Sequence, residues 1–165
     1  MMKKIESFCK SLLAILMGLL VMIVFFQVLN RFLFHISAAW TEEMGRFVFI
    51  WASIIGSALA VNQRLHIGLT IIVNLFPDKI RKLFLILAEI IMIAFYSFLI
   101  FWGGNWAFYG FRETSESLMW LPMFYVYVCI PIGGLLMLIF SSNYLVRILT
   151  GKENIQKNDE NVGEF

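Results

Sequence analysis

The side chains able to do chemistry are few, and six of them crowd one short stretch. Asn30, Arg31, Trp40, Glu42, Glu43 and Arg46 all fall between positions 30 and 46. On a helix, Glu42 and Arg46 are spaced i,i+4 and Glu43 and Arg46 i,i+3. Either spacing sets a carboxylate beside a guanidinium on one face. In a partly apolar setting such a pair lowers the cost of both charges; in water it is a solvated pair worth little. The residue types alone leave both readings open.

The remaining candidates are scattered. His35 and His66 are the only histidines. A helix of ~30 Å, at ~1.5 Å per residue, separates them, so they cannot share one haem iron. Glu89 is the one carboxylate inside a long apolar stretch. An acid there suggests a proton or ion relay. Yet Lys82 is only ~10 Å away along the helix, so the carboxylate can also reach a cation at the interface. Cys9 and Cys129 are the only cysteines, without metal-ligand spacing, and read as small buried hydrophobes. Gly103-Gly104 and Gly133-Gly134 sit in apolar runs and suit packing or bending. No nucleophile–base set, phosphate-binding glycine loop or metal cluster emerges, so the chain reads as no enzyme, with no cofactor and no metal.

The elements that must position these residues are membrane helices. The chain has 165 residues, is 61% hydrophobic and only 15% charged, where a soluble domain carries nearer a quarter. Leu12–Leu29 runs without a charge and is long enough to cross a bilayer. Unbroken apolar runs of this length predict helices, which satisfy their own backbone. Four spans are expected, at about 12–29, 41–61, 80–109 and 118–146. Together they make one all-α transmembrane domain, residues 1–150, followed by a polar, disordered tail, 151–165. The first run is too long for a signal-peptide core and is read as a retained helix. The segment Phe32–Ala39 can lie along the membrane interface. Thr41 is placed to cap the second helix and Pro77 to open the third. Pro122 is tolerated near the start of the fourth, and Pro131 should kink it. Ala52, Gly56 and Ala60 form a small-residue series that permits close helix packing, within the bundle or against another subunit.

Charge sets the expected orientation. Ten of the thirteen Lys and Arg lie in the N-terminal segment, the second loop and the C-terminal segment. Only Arg31, Arg46 and Arg112 lie on the other side. The positive-inside rule then places both termini in the cytoplasm. Trp40, Trp102, Trp106 and Trp120 gather near the outer face, as an aromatic belt does. The net charge of +2 gives no reason to expect nucleic acid.

The ordered combination Asn30, Arg31, Trp40, Glu42, Glu43, Arg46, Trp51, Gly56 and His66 resembles the small membrane subunit of tripartite ATP-independent periplasmic (TRAP) transporters. The stretch SAAWTEEMGRFVFIWASIIGSALAVNQRLHIGL carries most of the likeness. LFPDKIRKL, Leu75 to Leu83, resembles the family's cytoplasmic loop. The resemblance implies a multi-pass protein of a bacterial inner membrane with a large multi-span membrane subunit as partner. That subunit would hold the substrate and sodium sites, and a periplasmic substrate-binding protein would deliver an organic acid of the carboxylate or sialic-acid class. The small subunit would brace the large one. Two other readings remain: an autonomous proton-coupled four-helix exporter working through Glu89, and a membrane anchor of a respiratory enzyme.

Overall fold

A computed structural model describes residues 2–34, 39–63 and 78–150. His35, His66, Arg64, Pro77 and the tail 151–165 lie outside the described residues.

Four helical segments are long and apolar enough to cross a membrane, and no strands are present among the described residues. Helix α1 spans Met2–Leu29 and passes without a break into a wider π-helical turn, Asn30–Phe34. Its 28 residues extend ~42 Å, more than the hydrocarbon needs. The surplus is the first ten residues, where Glu6 and Lys10 pair at 2.6 Å along the helix surface. The regular helix gives way where the apolar run gives way, at Asn30.

Helix α2 spans Ala39–Gln63. It begins two residues before Thr41, so Thr41 sits buried in the first turn instead of capping it. Helix α3 spans Asp78–Tyr109. The fourth crossing has two parts, α4 at Phe124–Tyr127 and α5 at Cys129–Leu149. It starts at Phe124, later than the Leu118 that hydropathy indicates. Leu118–Leu121 are apolar but are bonded into a turn: Leu121 N–H donates to the Leu118 carbonyl at 2.8 Å. Thr114 and Pro122 form an isolated antiparallel bridge across that loop.

The interruption at Val128 has a local cause. Proline carries no N–H, so Pro131 cannot bond the carbonyl of Tyr127 one turn back, and its ring crowds that carbonyl. The helical ladder resumes with Ile132 N–H to the Val128 carbonyl at 3.3 Å.

The helices stand in a row. α1 packs on α2, α2 on α5, and α5 on α3; among the described residues α1 and α3, at the two ends, share no extensive seam. The middle of the row is where residues are buried. Ala58, Tyr96, Met137 and Phe140 form one cluster, and Cys9, Ile55 and Leu59 another. By contrast α1 buries only Cys9. Glycine sets the closest approaches. A Cβ on Gly133 would collide with Cγ2 of Ile54, and one on Gly103 would lie 2.7 Å from Cγ2 of Ile130. These are the α2–α5 and α3–α5 seams, and a larger residue at either forces the facing isoleucine, or the helix that carries it, to shift.

Candidate functional site

Four of the residues expected to matter, Trp40, Glu42, Glu43 and Arg46, lie at the start of α2, at the tryptophan-rich end of the row. Trp40 is half exposed, with its ring 6.4 Å from that of Phe26 on α1. Successive residues on a helix point about 100° apart. Glu42 and Glu43 therefore diverge. Glu42 meets Arg46 at 3.3 Å on the solvent side, and both side chains are about two-thirds exposed (67% and 64%).

Glu43 faces the other way, toward the loop between α3 and α4. One carboxylate oxygen accepts the Glu116 N–H at 3.3 Å and the other the Ser117 N–H at 2.9 Å. The next amide, Leu118, donates to the Ser115 hydroxyl at 3.2 Å. Ser115 is itself buried. Three consecutive backbone amides, with no helix to satisfy them, thus end on two side chains. Glu43 fastens α2 to a loop 73 residues further along the chain.

Trp51, two turns deeper, makes the second fastening. Its indole N–H donates to the backbone carbonyl of Tyr125 at 3.1 Å. Tyr125 lies in the turn that Pro131 disrupts, so the indole supplies a donor where the helical ladder is interrupted. α2 therefore holds the fourth crossing at two heights, first through its preceding loop and then at its break.

The other sequence candidates take separate places. Asn30 and Arg31 open the wide turn after α1, and Arg31 makes no ion pair among the described residues. Gly56 faces α1, where an added Cβ would sit 3.9 Å from Leu13, an ordinary contact. Ala52 is buried and Ala60 half-buried on the same helix. Glu89, on α3, accepts a hydrogen bond from the buried Ser141 hydroxyl on α5. This ties together the two helices with the most extensive seam. Among the described residues no group of three His, Cys, Asp or Glu could hold a metal ion.

Two contributors escaped the sequence reading. Ser115 and Ser141 are lone hydroxyls whose partners are distant in sequence, so no spacing announces them. Gly133 was visible as one of a glycine pair, and only the helix order shows which neighbour it admits. The resulting arrangement binds backbone to side chain and helix to helix. Its bonds are carboxylate to amide, indole to carbonyl and hydroxyl to carboxylate, and all are internal to the chain.

The TRAP-transporter family described as "Tripartite ATP-independent periplasmic transporters, DctQ component" matches residues 20–151. The chain is 28% identical to a C4-dicarboxylate TRAP transporter small permease protein of Vibrio cholerae, over 89% of this chain and 73% of that protein. It is 24% identical to a sialic acid TRAP transporter small permease protein of the same species, over 83% of this chain and 79% of the relative. A sialic acid TRAP transporter permease protein of Haemophilus influenzae is 25% identical over 76% of this chain, a match that takes up only 20% of that longer protein. The match begins inside α1 and runs through α2, the Glu43-bound loop and the whole of α5. This four-span chain belongs to the DctQ-component family, the small membrane subunits of TRAP transporters.

Proposed function

We propose that this chain braces the large transport subunit of a TRAP system that takes up an organic acid, with sodium coupling and substrate recognition residing in other polypeptides. The carrying observation is the match to a permease five times longer than the matched segment. There a region like this chain is continuous with a larger membrane protein. Uncovered apolar faces would not carry the argument alone, because lipid tails cover such faces as well as protein does.

The chemistry of the chain supports a bracing role. Three of its polar side chains within the bundle are spent on internal bonds: Glu43 with the loop, Trp51 with the Tyr125 carbonyl, Glu89 with Ser141. A carboxylate substrate and a sodium ion both need groups aimed at an open cavity. Relatives are named for C4-dicarboxylate and for sialic acid, so the substrate of this system is proposed only as an organic acid. On the charge distribution, both termini face the cytoplasm of a bacterial inner membrane, and the Glu43 loop faces the periplasm.

The test is purification of the full chain in mild detergent from its native membrane, with mass-spectrometric identification of what accompanies it. A large multi-span TRAP permease in stoichiometric amount is expected. Recovery of the chain alone, combined with solute transport by the chain alone in liposomes, would overturn the reading. A Glu89→Gln change that abolished such solitary transport would establish the exporter instead.

A further inference from the structure

The end of the row that carries the N-terminus holds a cavity that bracing a partner does not use. It measures ≈ 310 Å³ and is lined by Lys3 and Glu6 of α1, Asn62 of α2, and Asn143 and Arg147 of α5, above Phe140. Polar side chains from three helices converge there. Their charges are not balanced within the site. Glu6 is engaged by Lys10 at 2.6 Å and by the Asn62 side chain. Lys3 and Arg147 make no ion pair among the described residues, and both are exposed.

Two open cations beside two amide side chains form a set rich in N–H donors. Ammonium and guanidinium groups donate only, and carboxamides offer two donors each. A tetrahedral oxyanion accepts from all of them, and a phosphate suits the planar guanidinium in particular. A second cavity, ≈ 450 Å³, shares Asn143 and Arg147 and continues past Val146 and Thr150. Val146 is exposed on the apolar flank of α5. The polar pocket therefore opens onto an apolar helix face. A free ion has no use for that continuation, whereas a phosphodiester carrying acyl chains fills both parts.

We propose that Lys3 and Arg147 hold a phosphate group in this cavity, with Asn143 and the remaining amide N–H of Asn62 as hydrogen-bond donors, and that the phosphate belongs to an anionic phospholipid of the adjoining leaflet. Basic pockets between membrane helices take headgroups in this manner. The inference goes beyond the transport reading and does not depend on which side of the membrane the pocket faces.

Native mass spectrometry of the full chain in detergent micelles tests it, with three additives used separately. Phosphatidylglycerol carries phosphate and chains, diacylglycerol carries chains only, and inorganic phosphate carries no chains. One phosphatidylglycerol per chain should be retained and diacylglycerol should not. Lys3→Gln and Arg147→Gln should each lower occupancy about fivefold or more. Lys82→Gln, at the same end on α3 but outside the cavity, should leave it unchanged. Circular dichroism of each variant confirms that the helices persist. If inorganic phosphate binds, is lost in the same two variants, and phosphatidylglycerol does not bind, the phosphate site stands and its source is the free ion. Diacylglycerol retained as well as phosphatidylglycerol overturns the proposal. So does phosphatidylglycerol occupancy that survives both cavity variants or falls equally with Lys82→Gln.

Discussion

Glu42 and Glu43 are adjacent, chemically alike and engaged in different work. The pair Glu42–Arg46 is exposed on both sides, and such pairs contribute ~0–1 kcal/mol. Arg46→Ala should therefore shift the stability of the isolated chain by no more than ~0.5 kcal/mol in a thermal melt. Should it nonetheless abolish co-purification with the large subunit, Arg46 belongs to the interface. Glu43→Ala removes the acceptor of the Glu116 and Ser117 amides. Hydrogen exchange at those two amides should then rise about tenfold or more, while the cores of α2 and α3 keep their protection. Glu43→Gln keeps one carbonyl acceptor and should fall between. The sequence showed that Glu42, Glu43 and Arg46 share a helix end, and spacing allowed either carboxylate to pair with Arg46; the structure selects Glu42. The partner of Glu43 was not legible, because a backbone amide has no residue signature and this one lies 73 positions away.

At the scale of elements, hydropathy located four spans because an apolar run records the thickness of the solvent that surrounds it. The all-α, four-span class was legible in full. The start of the last helix was not: Leu118–Leu121 read as membrane-embedded yet are tied into the loop by Ser115 and by their own turn. Pro131 was legible as a break, and the structure adds that Trp51 attends to it. Which small residues set helix separation was the hardest part to read. Ala52, Gly56 and Ala60 have the regular spacing, but Gly133 has the tightest neighbour. Gly133→Ala drives a methyl into Ile54 and should cost ~1–3 kcal/mol, read as a lowered melting temperature in detergent. Gly104 has nothing within 4 Å of an added Cβ. Gly104→Ala should be neutral or stabilise by up to about 1 kcal/mol, since it only removes backbone freedom. Equal effects at the two positions would contradict the seam assigned to Gly133.

For the whole molecule, orientation is the first quantity to measure. Cys9 and Cys129 are both buried, so an introduced cysteine can be labelled against a low background. A membrane-impermeant maleimide should label Ser117→Cys in intact spheroplasts and Lys4→Cys only after lysis; the reverse pattern would invert the molecule. The row order α1–α2–α5–α3 has a larger consequence. A ring of helices has an inside, and a row has none. With no extensive seam between its end helices, the described part of this chain encloses no compartment between them. On the proposed bracing role, a single copy is then a partition and not a conduit, and a solute moving beside it would travel through a space whose other walls belong to another polypeptide. Differences in cargo between such systems should therefore leave this chain's seams untouched.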